Sequence, residues 1–165
     1  MSENQVEMLR VGEAASARDI AVLRRTGAGP GLFWLGGFAS DMRGSKAEAL
    51  DGFAATSGRA FTRFDYSGHG ASGGAFAEGT ISRWLEEARA VGRHYGREMR
   101  AAGASIHDTV EAFLFFRRSF SQLAAPLPGI AIPPDLLEAA ELRARIDDFM
   151  DAILLGTIAG FEEQA

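Results

Sequence analysis

The rhythm of hydrophobic positions changes near the middle of the chain. In residues 1–90 short apolar runs alternate with turn signals, whereas beyond residue 91 apolar positions recur every three or four residues. The first half therefore reads as α/β and the second as helical. Residues 6–11 and 20–23 are strand candidates, the latter followed by Arg24-Arg25-Thr26 and a Gly27-Ala28-Gly29-Pro30 turn. Leu32-Phe33-Trp34-Leu35 is apolar on both faces and bounded by glycines, which is how a strand buried under helices reads in a parallel sheet. Ser45-Lys46-Ala47-Glu48 has the form of a capping box; the helix it opens carries Ala47, Leu50 and Ala54 on one face and stops at Gly58. Residues 60–66 return as a strand. Strand, helix and strand in that order make a crossover unit, so those two strands run parallel.

Beyond a glycine-rich loop, Ile81, Trp84, Leu85, Ala88, Val91, Tyr95 and Met99 fall at helical spacing, with Gly103 closing the run. Ser105-Ile106-His107-Asp108 offers a second cap, followed by Val110, Phe113, Leu114, Arg117 and Phe120. Residues 123–134 hold four of the five prolines and cannot continue a helix. A last helix opens over residues 135–138 and carries a wide apolar stripe: Leu142, Ile146, Phe149, Met150, Ile153, Leu154, Ile158 and Phe161. The fold class is α/β: a small, mainly parallel sheet of about four strands in residues 1–90, then an all-helical region in residues 91–165, its first helix continuous with the first half.

Composition narrows the function. At 165 residues, 47% of them hydrophobic, the chain has room for one core or two very small ones. A net charge of −5 creates no field that attracts a phosphate backbone, so no nucleic-acid partner is expected. The absence of cysteine excludes disulfides, thiolate nucleophiles and Fe–S clusters and fits a reducing compartment. The amino terminus lacks an apolar signal region, and the longest clean apolar run, residues 152–161, is about half a membrane span. The expectation is a cytoplasmic protein with no membrane partner.

The segment Gly31-Leu-Phe-Trp-Leu-Gly-Gly-Phe-Ala-Ser-Asp-Met42, with Lys46-Ala-Glu-Ala-Leu50, Phe64-Asp-Tyr-Ser-Gly-His-Gly-Ala-Ser72 and Gly79-Thr-Ile-Ser-Arg-Trp-Leu85, resembles the α/β-hydrolase superfamily, in particular its small serine esterases and thioesterases. The likeness covers roughly residues 5–90. It implies that residues 32–35 are strand three, that Gly36, Gly37 and Phe38 form the loop contributing a backbone N–H to an oxyanion hole, and that Phe64-Asp65 ends strand four. It implies a small ester or thioester as substrate and no cofactor. In that fold the nucleophile sits on a strand-to-helix elbow, G-x-S-x-G, beyond the helix holding Trp84. Here the chain continues His94-Tyr-Gly-Arg-Glu-Met-Arg100 in helical pattern, and the elbow is missing where the family has it.

A literal G-x-S-x-G does occur at Gly70-Ala71-Ser72-Gly73-Gly74, with Asp65 and His69 nearby. Ser72, His69 and Asp65 are therefore the candidate nucleophile, base and acid, with Ser40 and Ser67 as poorer nucleophiles. The elbow chemistry requires a strand immediately before the serine and a helix immediately after it, and neither pattern is present here. Gly68, Gly70 and Gly73 also satisfy the dinucleotide fingerprint, but the required helix start and second strand are absent. Gly44-Ser45-Lys46 reverses the phosphate-loop order. His94 and Glu98 are i, i+4 on one helix but lack a third ligand, and His107 sits in a first helical turn; no metal is expected.

Residues 91–161, through Tyr95-Gly96-Arg97-Glu98, Gly103-Ala-Ser105 and Ala112-Phe-Leu-Phe-Phe-Arg-Arg118, resemble the helical sensory or dimerisation domains of bacterial regulators. That likeness implies recognition without chemistry. The first reading is an α/β-hydrolase-like protein of the serine ester or thioester hydrolase lineage, catalytically impaired because its elbow is missing. The alternative is a non-enzymatic helical sensory or interaction module carrying a degenerate α/β cap. In the family strand three is flanked by the nucleophile strand, so its loss leaves residues 32–35 on an open edge. Either the Phe113 to Phe120 helix or the proline-rich segment covers that edge, or a second copy pairs with it; a homodimer is the expected outcome.

Overall fold

The computed structural model describes residues 5–123 and 136–163. The proline-rich residues 124–134 lie outside them. Four strands, β1 (Glu7–Val11), β2 (Arg18–Arg25), β3 (Ala28–Trp34) and β4 (Arg59–Phe64), form one sheet in the order β1-β2-β4-β3. Helix α1 (Ser45–Ser57) links β3 to β4; α2 (Ile81–Ala101), α3 (Ile106–Leu123) and α4 (Leu136–Glu162) make the helical half.

The sheet is mixed, which corrects the expectation of a mainly parallel one. β3 and β4 are parallel, as the crossover requires, but β1 with β2 and β2 with β4 are antiparallel. The connections give the reason. Parallel neighbours need a crossover of a dozen or more residues, which only the segment containing α1 supplies. β1 reaches β2 through residues 12–17 and β2 reaches β3 through residues 26–27, too short to return the chain to the same end of the sheet. β3 also starts earlier than expected, taking in Gly29 and Pro30, with a register shift between Ala28 and Leu32.

Helix α1 starts without the predicted capping box. Gly44 is the cap residue, Ser45 already lies inside the helix, and no side chain caps it. Glu48 instead reaches Arg63 of β4 at 2.8 Å, a charge-assisted bond that outcompetes a local one. The stop is as predicted, with Gly58 left-handed at φ +66°. Ser105 caps α3 by accepting a bond from the Asp108 N–H at 3.0 Å.

Helices cover both faces of the sheet. Arg25 and Arg63 reach from one face to Asp51 of α1, while the other carries Ile20, Val22 and Phe64 into a cluster with Val11, Tyr66, Ala88, Val91 and Ile153. That cluster draws on β1, β2, β4, α2 and α4, so the two halves share a core. Burying each large member contributes about 1.5–3 kcal/mol. The expected face of α2 is buried from Ala88 to Met99, with Trp84 and Leu85 half-buried and Ile81 exposed; Glu87, which the pattern leaves out, is fully enclosed and paired with Arg18 of β2. Helices α2 and α4 approach until their backbones touch at Gly92, Gly96, Gly156 and Gly160, where an added Cβ would meet the facing helix's carbonyl groups. β3 is the last strand of the sheet; the Tyr95 hydroxyl of α2 donates to the Gly31 carbonyl at 3.0 Å, and Phe33 and Leu35 pack with Phe113 of α3 against the shared cluster.

Candidate active site

The candidate residues sit on the loop that leaves β4 and on the loop that leaves β3. Asp65 is 2% exposed, and its carboxylate is consumed locally: Oδ1 accepts the Met42 N–H at 2.6 Å and Oδ2 the Ala71 N–H at 2.8 Å. Gly70 is left-handed at φ +47°, and a Cβ there would collide with that carboxylate. The aspartate thus organises a glycine-permitted loop from inside.

Ser72 is equally committed. Its Oγ donates to the Asp65 carbonyl at 2.6 Å and accepts the Ala21 N–H at 2.8 Å, stitching the loop to β2. The Gly73 N–H adds a bond to the Asp19 carbonyl at 2.8 Å. The ring of His69 reaches neither Ser72 nor Asp65. Its Nδ1 lies 3.2 Å from the Ser67 carbonyl, while Nε2 is buried with no partner among the described residues. The ring is enclosed edge-on by Tyr66, Phe76 and Trp84, with centroids 6.2, 5.0 and 5.4 Å away. Burial, and then the nearby Glu87 carboxylate, push the Tyr66 phenol above its ordinary range. The structure therefore brings Asp65, His69 and Ser72 onto one loop without the serine-to-histidine bond that activates a nucleophile. Between the serine and α2 lie further loop and a short 3-10 turn, Phe76–Glu78, so no strand-to-helix elbow forms.

Gly36, Gly37 and Phe38 occupy the turn beyond β3, closed by the Ser40 N–H on the Gly37 carbonyl at 3.1 Å. Their own N–H groups meet no acceptor among the described residues. Phe38 is 77% exposed and packs edge-on against Phe76 at 5.2 Å and Trp84 at 6.2 Å, which joins this loop to the wall around His69. Ser67, 3% exposed, has a hydroxyl with no partner among the described residues, and its N–H is held by Glu87 at 2.9 Å. Glu87 is the residue sequence reasoning missed here, since a glutamate beside a buried alanine carries no local sign of its distant arginine.

His94 is not a metal ligand in waiting. Its ring lies between the guanidinium groups of Arg24 and Arg97, and Glu98, 3.8 Å from Nε2, is itself engaged by Arg24. Burial, then Arg24 and Arg97, lower the imidazole to about 4. His107, Asp108 and Glu111 present ligand atoms within 4.8 Å of one another on α3, all exposed; the i, i+4 spacing of His107 and Glu111 is the sequence signal for them. Arg117 ties α3 to α4 through Asp147 at 3.5 Å and Asp151 at 2.6 Å.

No protein-family model matches the chain. The mouse palmitoyl-protein thioesterase ABHD10, mitochondrial, is 40% identical over 73 residues, which is 44% of this chain and 25% of the mouse protein. The rat protein of the same name is 39% identical over 72 residues. A crystal structure of an Agrobacterium vitis S4 protein assigned as a hydrolase superposes with a TM-score of 0.55 at 52% identity, covering 58% of this chain and 38% of that one. The matched part of the chain is α/β-hydrolase-like. The matched segment spans about a quarter of the curated relatives. None of these proteins is a regulator domain, so the likeness of residues 91–161 to helical sensory or dimerisation domains has no support. Among the described residues no helix is long and apolar enough to cross a membrane.

Proposed function

We propose that this α/β-hydrolase-like chain belongs with the serine ester or thioester hydrolases by descent and that its described residues assemble no working nucleophile. The observation that carries this reading is the bonding of Ser72. The hydroxyl proton is spent on a backbone carbonyl and a lone pair on a backbone N–H, so attack on an ester would require breaking a fold-stabilising link without a base in place. The oxyanion side is better kept: Gly36, Gly37 and Phe38 offer N–H groups toward a small ester or thioester carbonyl. A donor of that kind contributes on the order of 10²–10³ in rate, but only to an attack that a nucleophile has begun. Incubation with a fluorophosphonate probe and peptide mapping tests the reading. No labelled serine and negligible p-nitrophenyl ester hydrolysis are expected; labelling of Ser72 with turnover abolished by Ser72→Ala would overturn it. A cytosolic location belongs to the same proposal, on the cysteine-free composition, and cell fractionation separates it from the mitochondrial location in the relatives' names.

The second reading, a non-enzymatic interaction module, is favoured by one observation. Helix α3 presents Leu114 and Phe115 outward, 43% and 73% exposed.

A further inference from the structure

Along α3 runs a groove of about 650 Å³ whose lining includes Ile106, Val110, Leu114 and Phe115 together with Glu111 and Arg118. Its apolar members expose large side chains, Ile106 at 41%, Leu114 at 43% and Phe115 at 73%. With aromatic side chains offering on the order of 150–250 Å² each, roughly 300 Å² of apolar surface lies open on one helix face. Among the described residues neither Glu111 nor Arg118 has an ion-pair partner, in contrast to Arg117 one position away, which is held by two aspartates of α4.

The spacing of the charges identifies the occupant. Glu111, Leu114, Phe115 and Arg118 follow one another at three, one and three residues, so the order acid, apolar, apolar, base reads as its own complement when the helix is reversed. We propose that this face of α3 binds the same face of a second copy of the chain, antiparallel about a twofold axis passing between Leu114 and Phe115. Leu114 then faces the partner's Phe115, and Glu111 faces the partner's Arg118; the symmetry repeats both contacts. The two ion pairs flank an apolar centre, and the helix dipoles oppose one another. A parallel pairing would bring like charges together. The apolar area of two such faces, about 600 Å² before the aliphatic stems of the rim are added, lies below that of standard stable interfaces and in the range of weak, transient ones. Association is therefore weak, and the net charge of −5 on each copy weakens it further at low salt. This homodimer differs from one paired through the edge strand β3.

The test is a charge exchange on the full chain, read by sedimentation across a hundredfold range of concentration. The wild type is expected to shift from monomer to dimer. Glu111→Arg alone and Arg118→Glu alone each place like charges opposite one another at both ends and should weaken self-association tenfold or more. Mixed with each other, the two single variants should form a heterodimer as strong as the wild-type homodimer, and the double exchange should restore homodimerisation. Both positions are exposed, and an unchanged far-UV circular dichroism spectrum confirms that the variants fold. A wild type that stays monomeric throughout overturns the proposal and leaves the face to a different partner. So does a dimer insensitive to either substitution, or two single variants that fail to recognise each other.

Discussion

The close backbone approach of α2 to α4 sets a quantitative expectation. A Cβ built on Gly160 would lie 2.8 Å from the Arg93 carbonyl carbon, and one on Gly96 would lie 2.9 Å from the Thr157 carbonyl carbon. Ordinary carbon contacts are about 3.5–4.0 Å, so alanine at either position must part the helices by about 1 Å. A gap of that size forfeits about a quarter to a half of the contact energy lining it. The affected side chains are Met150, Ile153 and Phe161, each more than nine-tenths buried. At about 1.5–3 kcal/mol apiece for their burial, the loss is on the order of 1–4 kcal/mol. Alanine returns about 1 kcal/mol of helix propensity, leaving Gly96→Ala and Gly160→Ala each destabilised by up to about 3 kcal/mol. Gly52, inside α1, is the control: nothing lies within 4 Å of its virtual Cβ, so Gly52→Ala should stabilise by about 0.5–1 kcal/mol. Urea denaturation followed by circular dichroism measures all three. If Gly96→Ala proves as stabilising as Gly52→Ala, the backbone contact between α2 and α4 is refuted.

Removing the Glu87 side chain with Glu87→Ala takes from the buried Arg18 guanidinium one of its two carboxylates, Glu86 keeping the other at 2.8 Å, and leaves the Ser67 N–H without its acceptor; it should cost about 1–3 kcal/mol in urea denaturation, with Arg18→Met/Glu87→Leu recovering most of it, and no measurable loss contradicts the buried pair. Ser72→Ala leaves the Ala21 N–H without its acceptor and should lower stability by about 1–3 kcal/mol, with no accompanying change in ester hydrolysis. His94, held near 4 in the folded chain against an ordinary 6.5, takes up its proton more readily when unfolded. Its contribution to stability is therefore complete above about pH 6.5 and lost as the pH falls toward 4, on the order of 1–3 kcal/mol, and His94→Gln should flatten that part of a stability-against-pH curve. A chain ended after Ala90 loses Val91 and Ile153 from the shared cluster and should keep far-UV but not near-UV dichroism; a cooperative, monomeric 1–90 product would show that the halves do not need each other.

The strands, the four long helices and the glycine at each of two helix ends were legible because each rests on a window of a few residues. Alternation, three- and four-residue spacing and turn chemistry act within that window, whatever the distant chain does. The crossover of β3 to β4 was legible for the same reason, since the intervening helix is continuous in sequence. What the sequence determined about the site was its membership: residues 31–85 carry the hydrolase pattern, and the elbow was seen to be missing. Tertiary structure decided the bonding partners. The capping box at Ser45 and Glu48 has the right spacing but loses Glu48 to an arginine on β4. Asp65 and Ser72 look like an acid and a nucleophile in sequence, yet the fold places Met42, Ala71 and Ala21 where their oxygens are taken by backbone N–H groups. His94 offers only an i, i+4 pair with Glu98, and Glu87 no signal at all, until β2 delivers Arg24 and Arg18 to them. The antiparallel pairing of β2 with β4 and the contacts of Gly96 and Gly160 are likewise fixed by elements far apart in the chain. An oxygen or an N–H bonds whatever the packed fold brings within about 3 Å, and no local pattern encodes that distance.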